Sequence, residues 1–162
     1  MFIYSVKAKS IKIGIIALAA AILFSVIALS GAGEVVSASS NATEVDFSGI
    51  KEKSDRVEFI RRFGLTVDDN YEESVAFKIP ENFDRVILGY NELQKKQGLD
   101  ITKYHSKRVT RYTYKVTNYK SEGEVFANLF VYRGKIVACD LCSAEKDGFV
   151  LPLTLVSRDN LK

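Results

Sequence analysis

Val125-Phe126-Ala127-Asn128-Leu129-Phe130-Val131-Tyr132-Arg133-Gly134-Lys135-Ile136-Val137-Ala138-Cys139-Asp140-Leu141-Cys142 carries the strongest structural signal in the chain. Across 125–132 both alternating sets are apolar: Val125, Ala127, Leu129 and Val131 on one side, Phe126, Phe130 and Tyr132 on the other. A strand wetted on one face alternates apolar with polar, so this pattern marks a central strand covered on both faces. Arg133-Gly134 is a two-residue link to the next apolar run, 136–141, which predicts a tight hairpin.

Working outward, Thr110, Tyr112, Tyr114 and Val116 alternate with Val109, Arg111, Thr113, Lys115 and Thr117, the period of a strand with one polar face. Residues 74–79 form a short strand before Pro80, and 149–156, which contains Pro152, belongs at an edge or in a loop. Two helices precede the sheet. Ser54 is placed to cap the first, whose Val57, Ile60 and Phe63 recur at helical spacing before Gly64. The second carries Phe83, Val86, Ile87, Tyr90 and Leu93 as one apolar stripe, with Asn82 as cap and Gly98 as terminator. The expectation is an α+β domain with both helices on one face of an antiparallel sheet of three to five strands.

The N-terminal part has a different composition. Residues 13–33 are 21 consecutive uncharged positions, preceded by Lys7, Lys9 and Lys12. As a helix they extend roughly 31 Å, close to the hydrocarbon core of a bilayer. Two readings fit: a retained signal anchor, or a signal peptide cleaved near Val36-Ser37-Ala38. The length of the apolar core favours the anchor. Both place the rest of the chain outside the cytoplasm, with residues 1–12 inside by the positive-inside rule. The expected organisation is a basic tail (1–12), a transmembrane helix (13–33), a linker (34–50) and an extracytoplasmic domain (51–162). With the three tail lysines removed, 20 basic residues face 20 acidic ones, so nucleic-acid binding is not expected.

Cys139 and Cys142 are the only cysteines. Three readings stand: buried structural or free thiols, a structural disulfide, or a redox or metal pair. Positions three apart in a strand point to opposite faces, about 10 Å apart, so a disulfide requires Cys142 to leave the strand. Zinc would need two further ligands, which one histidine hardly supplies. That histidine, His105, has no assignable catalytic partner, and Asp68-Asp69 and Glu72-Glu73 lack calcium-loop spacing. No catalytic, cofactor or metal set is therefore assigned. Between residues 95 and 120 eight basic residues accompany one acid, and Lys107, Arg111 and Lys115 would share a strand face, a candidate surface for an anionic ligand.

Several stretches resemble a bacterial family known as domain of unknown function 4830. They are Phe59-Ile60-Arg61-Arg62-Phe63-Gly64, Ile79-Pro80-Glu81-Asn82-Phe83, Tyr90-Asn91-Glu92-Leu93-Gln94-Lys95-Lys96-Gln97-Gly98, residues 107–118, Asn128-Leu129-Phe130-Val131-Tyr132, and the segment from Cys142 through Asp147-Gly148-Phe149. The resemblance spans about residues 55–150. It implies a membrane-anchored protein of Gram-positive bacteria with no assigned activity and no functional residues to carry over. The functional expectation is a non-catalytic binding or interaction module at the cell envelope, with an anionic polymer or a membrane protein as partner. The alternative is a thiol-redox accessory or enzyme using Cys139 and Cys142.

Overall fold

The computed structural model describes residues 45–162. At its centre, β3 (Val125–Tyr132) and β4 (Lys135–Ser143) form the expected hairpin. Arg133 and Gly134 have φ of 47° and 76°. A two-residue turn that follows the strand twist requires both positions in the left-handed region. β2 (Arg108–Val116) pairs with β3, β1 (Glu73–Lys78) with β2, and β5 (Val150–Pro152) with β4, all antiparallel. The sheet order β1-β2-β3-β4-β5 is a meander of five strands. Pro152 closes the short edge strand β5, where its missing N–H costs least.

The register between β3 and β4 slips between Phe130 and Val131, which face Ala138 and Ile136 and leave Val137 bulged. The bulge changes which side chains face which way. Ile136, Cys139 and Leu141 join the main core, whereas Val137 packs with Ile79 and Val109 on the opposite side.

α1 (Lys53–Arg61) covers the first face, where Val57, Phe59 and Ile60 pack with Tyr114, Leu129 and Leu141. Its first turn is closed by Glu52 and Asp55 rather than by Ser54, with Asp55 Oδ2 accepting from the amides of Lys51 and Glu52 at 2.9 and 2.8 Å. α2 (Arg85–Lys95) is capped by Asp84, whose Oδ1 accepts from the Ile87 amide at 2.8 Å, rather than by Asn82. Gly98, at φ 81°, follows it in the left-handed position of a helix stop.

α2 does not share a face with α1. Tyr90 of α2 reaches Phe130 and Asp140, on the side of the sheet opposite Leu129 and Leu141. The two-sided apolar pattern of β3 requires this, because one covering helix leaves Phe130 in water. The same cover explains why Val109 and Thr113, read as part of a polar face, are buried.

The folded unit also takes in residues 45–50, which the sequence groups with the linker. Ile50 is buried, Val45 and Phe47 pack on the core, and the Ile136 amide donates to the Phe47 carbonyl at 2.8 Å. The tail at 1–12, the apolar segment at 13–33 and the linker up to residue 44 lie outside the described residues. Among the described residues no helix is long and apolar enough to cross a membrane.

A candidate ligand-binding cleft

Thr113, Asn128 and Asp140 lie opposite one another on three adjacent strands, forming a polar row across the α2 side of the sheet. All three are buried. Thr113 Oγ1 donates to Asn128 Oδ1 at 2.7 Å, and Asn128 Nδ2 donates to Asp140 Oδ1 at 2.8 Å. From α2, the Tyr90 hydroxyl donates to Asp140 Oδ2 at 2.6 Å. Both carboxylate oxygens are thereby occupied, which is what permits a carboxyl group to lie this deep. Burial raises the Asp140 pKa, opposed by the hydrogen bonds from Asn128 and Tyr90.

Beside this row the sheet and α2 diverge and leave a cleft of about 420 Å³. Val75 and Phe77 of β1, Val86 and Ile87 of α2, and Phe130 and Ala138 of the central strands form its apolar walls. The size lies within the range of about 300–1,000 Å³ typical of small-molecule sites. Val75 and Val86 are exposed at 44% and 36%, so the apolar lining reaches solvent at the mouth. Val86, Ile87 and Tyr90 of the α2 stripe thus wall the cleft, while Phe83 packs on the small core of Ile79, Val109 and Val137. The buried side of α2 carries amides, Asn91 and Gln94.

Arg111 of β2 also lines the cleft. Its Nε is buried without a hydrogen-bond acceptor, and among the described residues its guanidinium makes no ion pair. Arg56 on the other face shows how this chain otherwise treats a buried guanidinium. Its Nε donates to Tyr114 Oη at 2.7 Å, its Nη2 to Glu72 Oε1 at 2.9 Å, and its plane lies 3.7 Å over the Tyr112 ring. The contrast leaves Arg111 Nε a buried donor without a partner among the described residues.

Of the three basic residues read as one anionic-ligand face, Arg111 and Lys115 share a parity on β2 but have different partners. Arg111 is in the cleft, Lys115 pairs with Glu124, and Lys107 is exposed just before β2 begins. The two cysteines both lie within β4 as free, buried thiols. Cys139 belongs to the main core, and Cys142 faces the cleft with its Sγ 3.3 Å from Asn128 Nδ2. Burial pushes both thiols up, Cys142 to about 12, and the neighbouring Asp140 charge adds to this. That is the reverse of the depression that makes a thiolate reactive. His105 rests on the Phe83 ring and lies 3.3 Å from the Pro80 carbonyl. Among the described residues no group of His, Cys, Asp and Glu is arranged to hold a metal ion.

Tyr90, Thr113, Asn128 and Asp140 enter the sequence reading as members of a helix stripe and of strands, not as a site. The available signal was isolated polar residues, Asn128 and Asp140, inside strands otherwise apolar on both sides. The molecule is an α+β domain built on an antiparallel meander, with one helix on each face and an apolar cleft beneath the second. The chain belongs to the family described as domain of unknown function (DUF4830), which matches residues 59–141. No curated protein and no solved structure matches the chain.

Proposed function

We propose that this protein is a non-catalytic binding module held at the outer side of a bacterial membrane by its segment at 13–33, with the cleft beneath α2 as its ligand site. The observation that carries the reading is the cleft itself: about 420 Å³ of apolar-walled space with Arg111 at its side, whose buried Nε has no partner among the described residues. A wall of exposed aliphatic side chains around a buried donor is what a binding site needs, and structural packing alone does not call for it. The chemistry of the lining points the same way. Asp140 is held by two donors, and burial raises the Cys142 thiol above its ordinary range, which is the opposite of activating it as a nucleophile. The lysines before residue 13 and the family's implied anchoring support the topology.

The test is a melt of the full chain against fractionated extracts of bacterial envelopes. A ligand at 100 times its Kd stabilises the folded state by about 2.7 kcal/mol. The expected result is a fraction that raises Tm for the wild type and fails to do so for a Val75→Glu, Val86→Glu double variant. Both positions are exposed at the mouth, so the variant retains the fold. If no fraction stabilises the wild type, or if the double variant responds equally, the cleft is not a binding site.

A further inference from the structure

We infer that the cleft selects an amphipathic monoanion, an apolar chain or ring carrying one terminal carboxylate, which places that carboxylate on Arg111 and its apolar body against Val86, Ile87 and Phe130. The inference rests on the binding reading above and adds the chemistry of the ligand.

The polar groups of the cleft are already divided between those that are spent and those that are free. Asp140 accepts one hydrogen bond at each oxygen, from Asn128 and from Tyr90, so the protein already supplies it with two donors. The Tyr90 hydroxyl donates its hydrogen bond to Asp140, and the Asn128 amide accepts from Thr113 and donates to Asp140. Among the side-chain nitrogen and oxygen atoms of the described residues, Arg111 Nε is the one that is buried without a hydrogen-bond partner. Guanidinium hydrogens are donors without exception, so the missing partner is an acceptor. A carboxylate fits better than a neutral oxygen, because it satisfies the hydrogen bond and the charge together and can engage the planar fork at two points. Lys78, exposed at the rim, adds a second positive charge and no acid compensates it by an ion pair among the described residues.

The remaining lining determines the rest of the ligand. Val75, Phe77, Val86, Ile87 and Phe130 offer no hydrogen bond, so a sugar or a polyanion entering there loses its hydration without compensation. Contact with these walls rewards methylene and aromatic surface instead. One charge at one end of an apolar body is the arrangement that matches both halves.

Photolabelling in phosphatidylcholine nanodiscs, with the full chain, tests this. The probes are decanoate with a diazirine at its far end, and the corresponding alcohol. We expect the acid to label Val86, Ile87 or Phe130 and the alcohol to label them at least about tenfold less, the difference expected for a charge-assisted contact. Arg111→Gln should bring acid labelling down to the alcohol's level, with Arg111→Lys intermediate. Val86→Trp, which fills the mouth from an exposed position, should abolish labelling even if Arg111→Gln folds poorly. Equal labelling by acid and alcohol overturns the inference, as does acid labelling that survives Arg111→Gln in a folded protein. Absence of label from the cleft residues also overturns it. In each of these cases the binding reading still stands if an envelope fraction stabilises the wild type through the cleft, and falls with it if none does.

Discussion

Gln94 of α2 hydrogen-bonds Cys139 of β4 twice, its Nε2 donating to the carbonyl at 3.1 Å and its Oε1 accepting from the amide at 3.0 Å. A neighbouring strand would make the same pair of bonds. β5 covers β4 only at Asp140, Leu141 and Cys142, so the Cys139 backbone lies just past the end of the ladder. A helical glutamine completes it. Gln97 adds a donor to the same carbonyl at 2.6 Å, and its Oε1 accepts from the amide and hydroxyl of Thr154. This amide cluster is what holds α2 against the sheet edge while its apolar stripe overhangs the cleft.

Gln94→Leu should therefore destabilise the fold even though it makes the helix more apolar. The Cys139 amide is left buried without an acceptor, which costs about 1–3 kcal/mol. Urea denaturation measures the loss, and hydrogen exchange at the Cys139 amide locates it. Unchanged exchange there would mean that the two bonds contribute nothing.

Asp140 yields a pH-dependent prediction with a definite sign. Its folded pKa is raised above the ordinary 3.8, burial being the main cause, so the folded state holds this proton more tightly than the unfolded chain. Stability then falls as pH rises from 3.8 through the folded value. Asp140→Asn removes the slope. The Asn128 amide can rotate and the Thr113 hydroxyl can turn to accept, which keeps every bond in the row made. Relative to wild type, Asp140→Asn should thus become more stable as pH rises above 3.8. Asp140→Leu instead orphans the Tyr90 and Asn128 donors at about 1–3 kcal/mol each. Asp100 contributes with the opposite sign. Hydrogen bonds from Thr102 and Asn91 hold it at about 2, so its contribution is present above 3.8 and lost as pH falls toward 2. Paired urea titrations of wild type and Asp140→Asn across this range separate the two, since the Asp100 contribution is common to both proteins and cancels, leaving the Asp140 slope.

The guanidinium of Arg56 is the second polar centre, and Tyr114 and Glu72 close it from two sides, with the Tyr114 hydroxyl also donating to Glu72 Oε1 at 2.7 Å. Breaking a buried ion pair from one side costs about 3–5 kcal/mol. Glu72 is 23% exposed, so Glu72→Gln should fall at or below the low end of that range. Tyr114→Phe leaves Arg56 Nε without its acceptor and should cost about 1–3 kcal/mol. A double-mutant cycle on Glu72 and Tyr114 should show non-additivity, because both act through one guanidinium. Additive effects would mean that the triangle is not a unit.

The sheet was legible because strand periodicity depends only on neighbours in sequence. The hairpin at Arg133-Gly134, the alternation of β2 and the edge position of Pro152 all follow from local backbone chemistry. The placement of α2 was not legible in that way. Its apolar stripe reads as a core contact, yet its buried residues are Asn91 and Gln94, whose partners are Asp100, Ile101 and the Cys139 backbone. No periodicity announces an amide that completes a strand ladder, because the partner is 45 residues away in the chain. The cleft has the same cause. Arg111 is an ordinary polar position of β2 until α2 covers that face, and the Val137 bulge decides that Ala138, Asp140 and Cys142 turn toward the cleft while Cys139 and Leu141 turn away. The separation of the two thiols, by contrast, was contained in the two-residue period once both fell in one strand.

That separation leads to a prediction for the cysteines. Cys139 is fully buried against Gln97 and Leu141's layer, Cys142 sits beside Asn128, and burial holds both thiols protonated well above neutral pH. Alkylation needs an exposed thiolate, so iodoacetamide at pH 8 should modify neither residue faster than the protein opens. Complete modification should follow in urea. Oxidation with diamide should produce no intramolecular disulfide in the folded chain, since neighbouring β4 positions three apart face opposite sides. Mass spectrometry of native and unfolded samples reads both outcomes together. Rapid native labelling of Cys142 alone would mean that the cleft opens deeply enough to expose its floor, and a disulfide formed without unfolding would restore the thiol-redox reading.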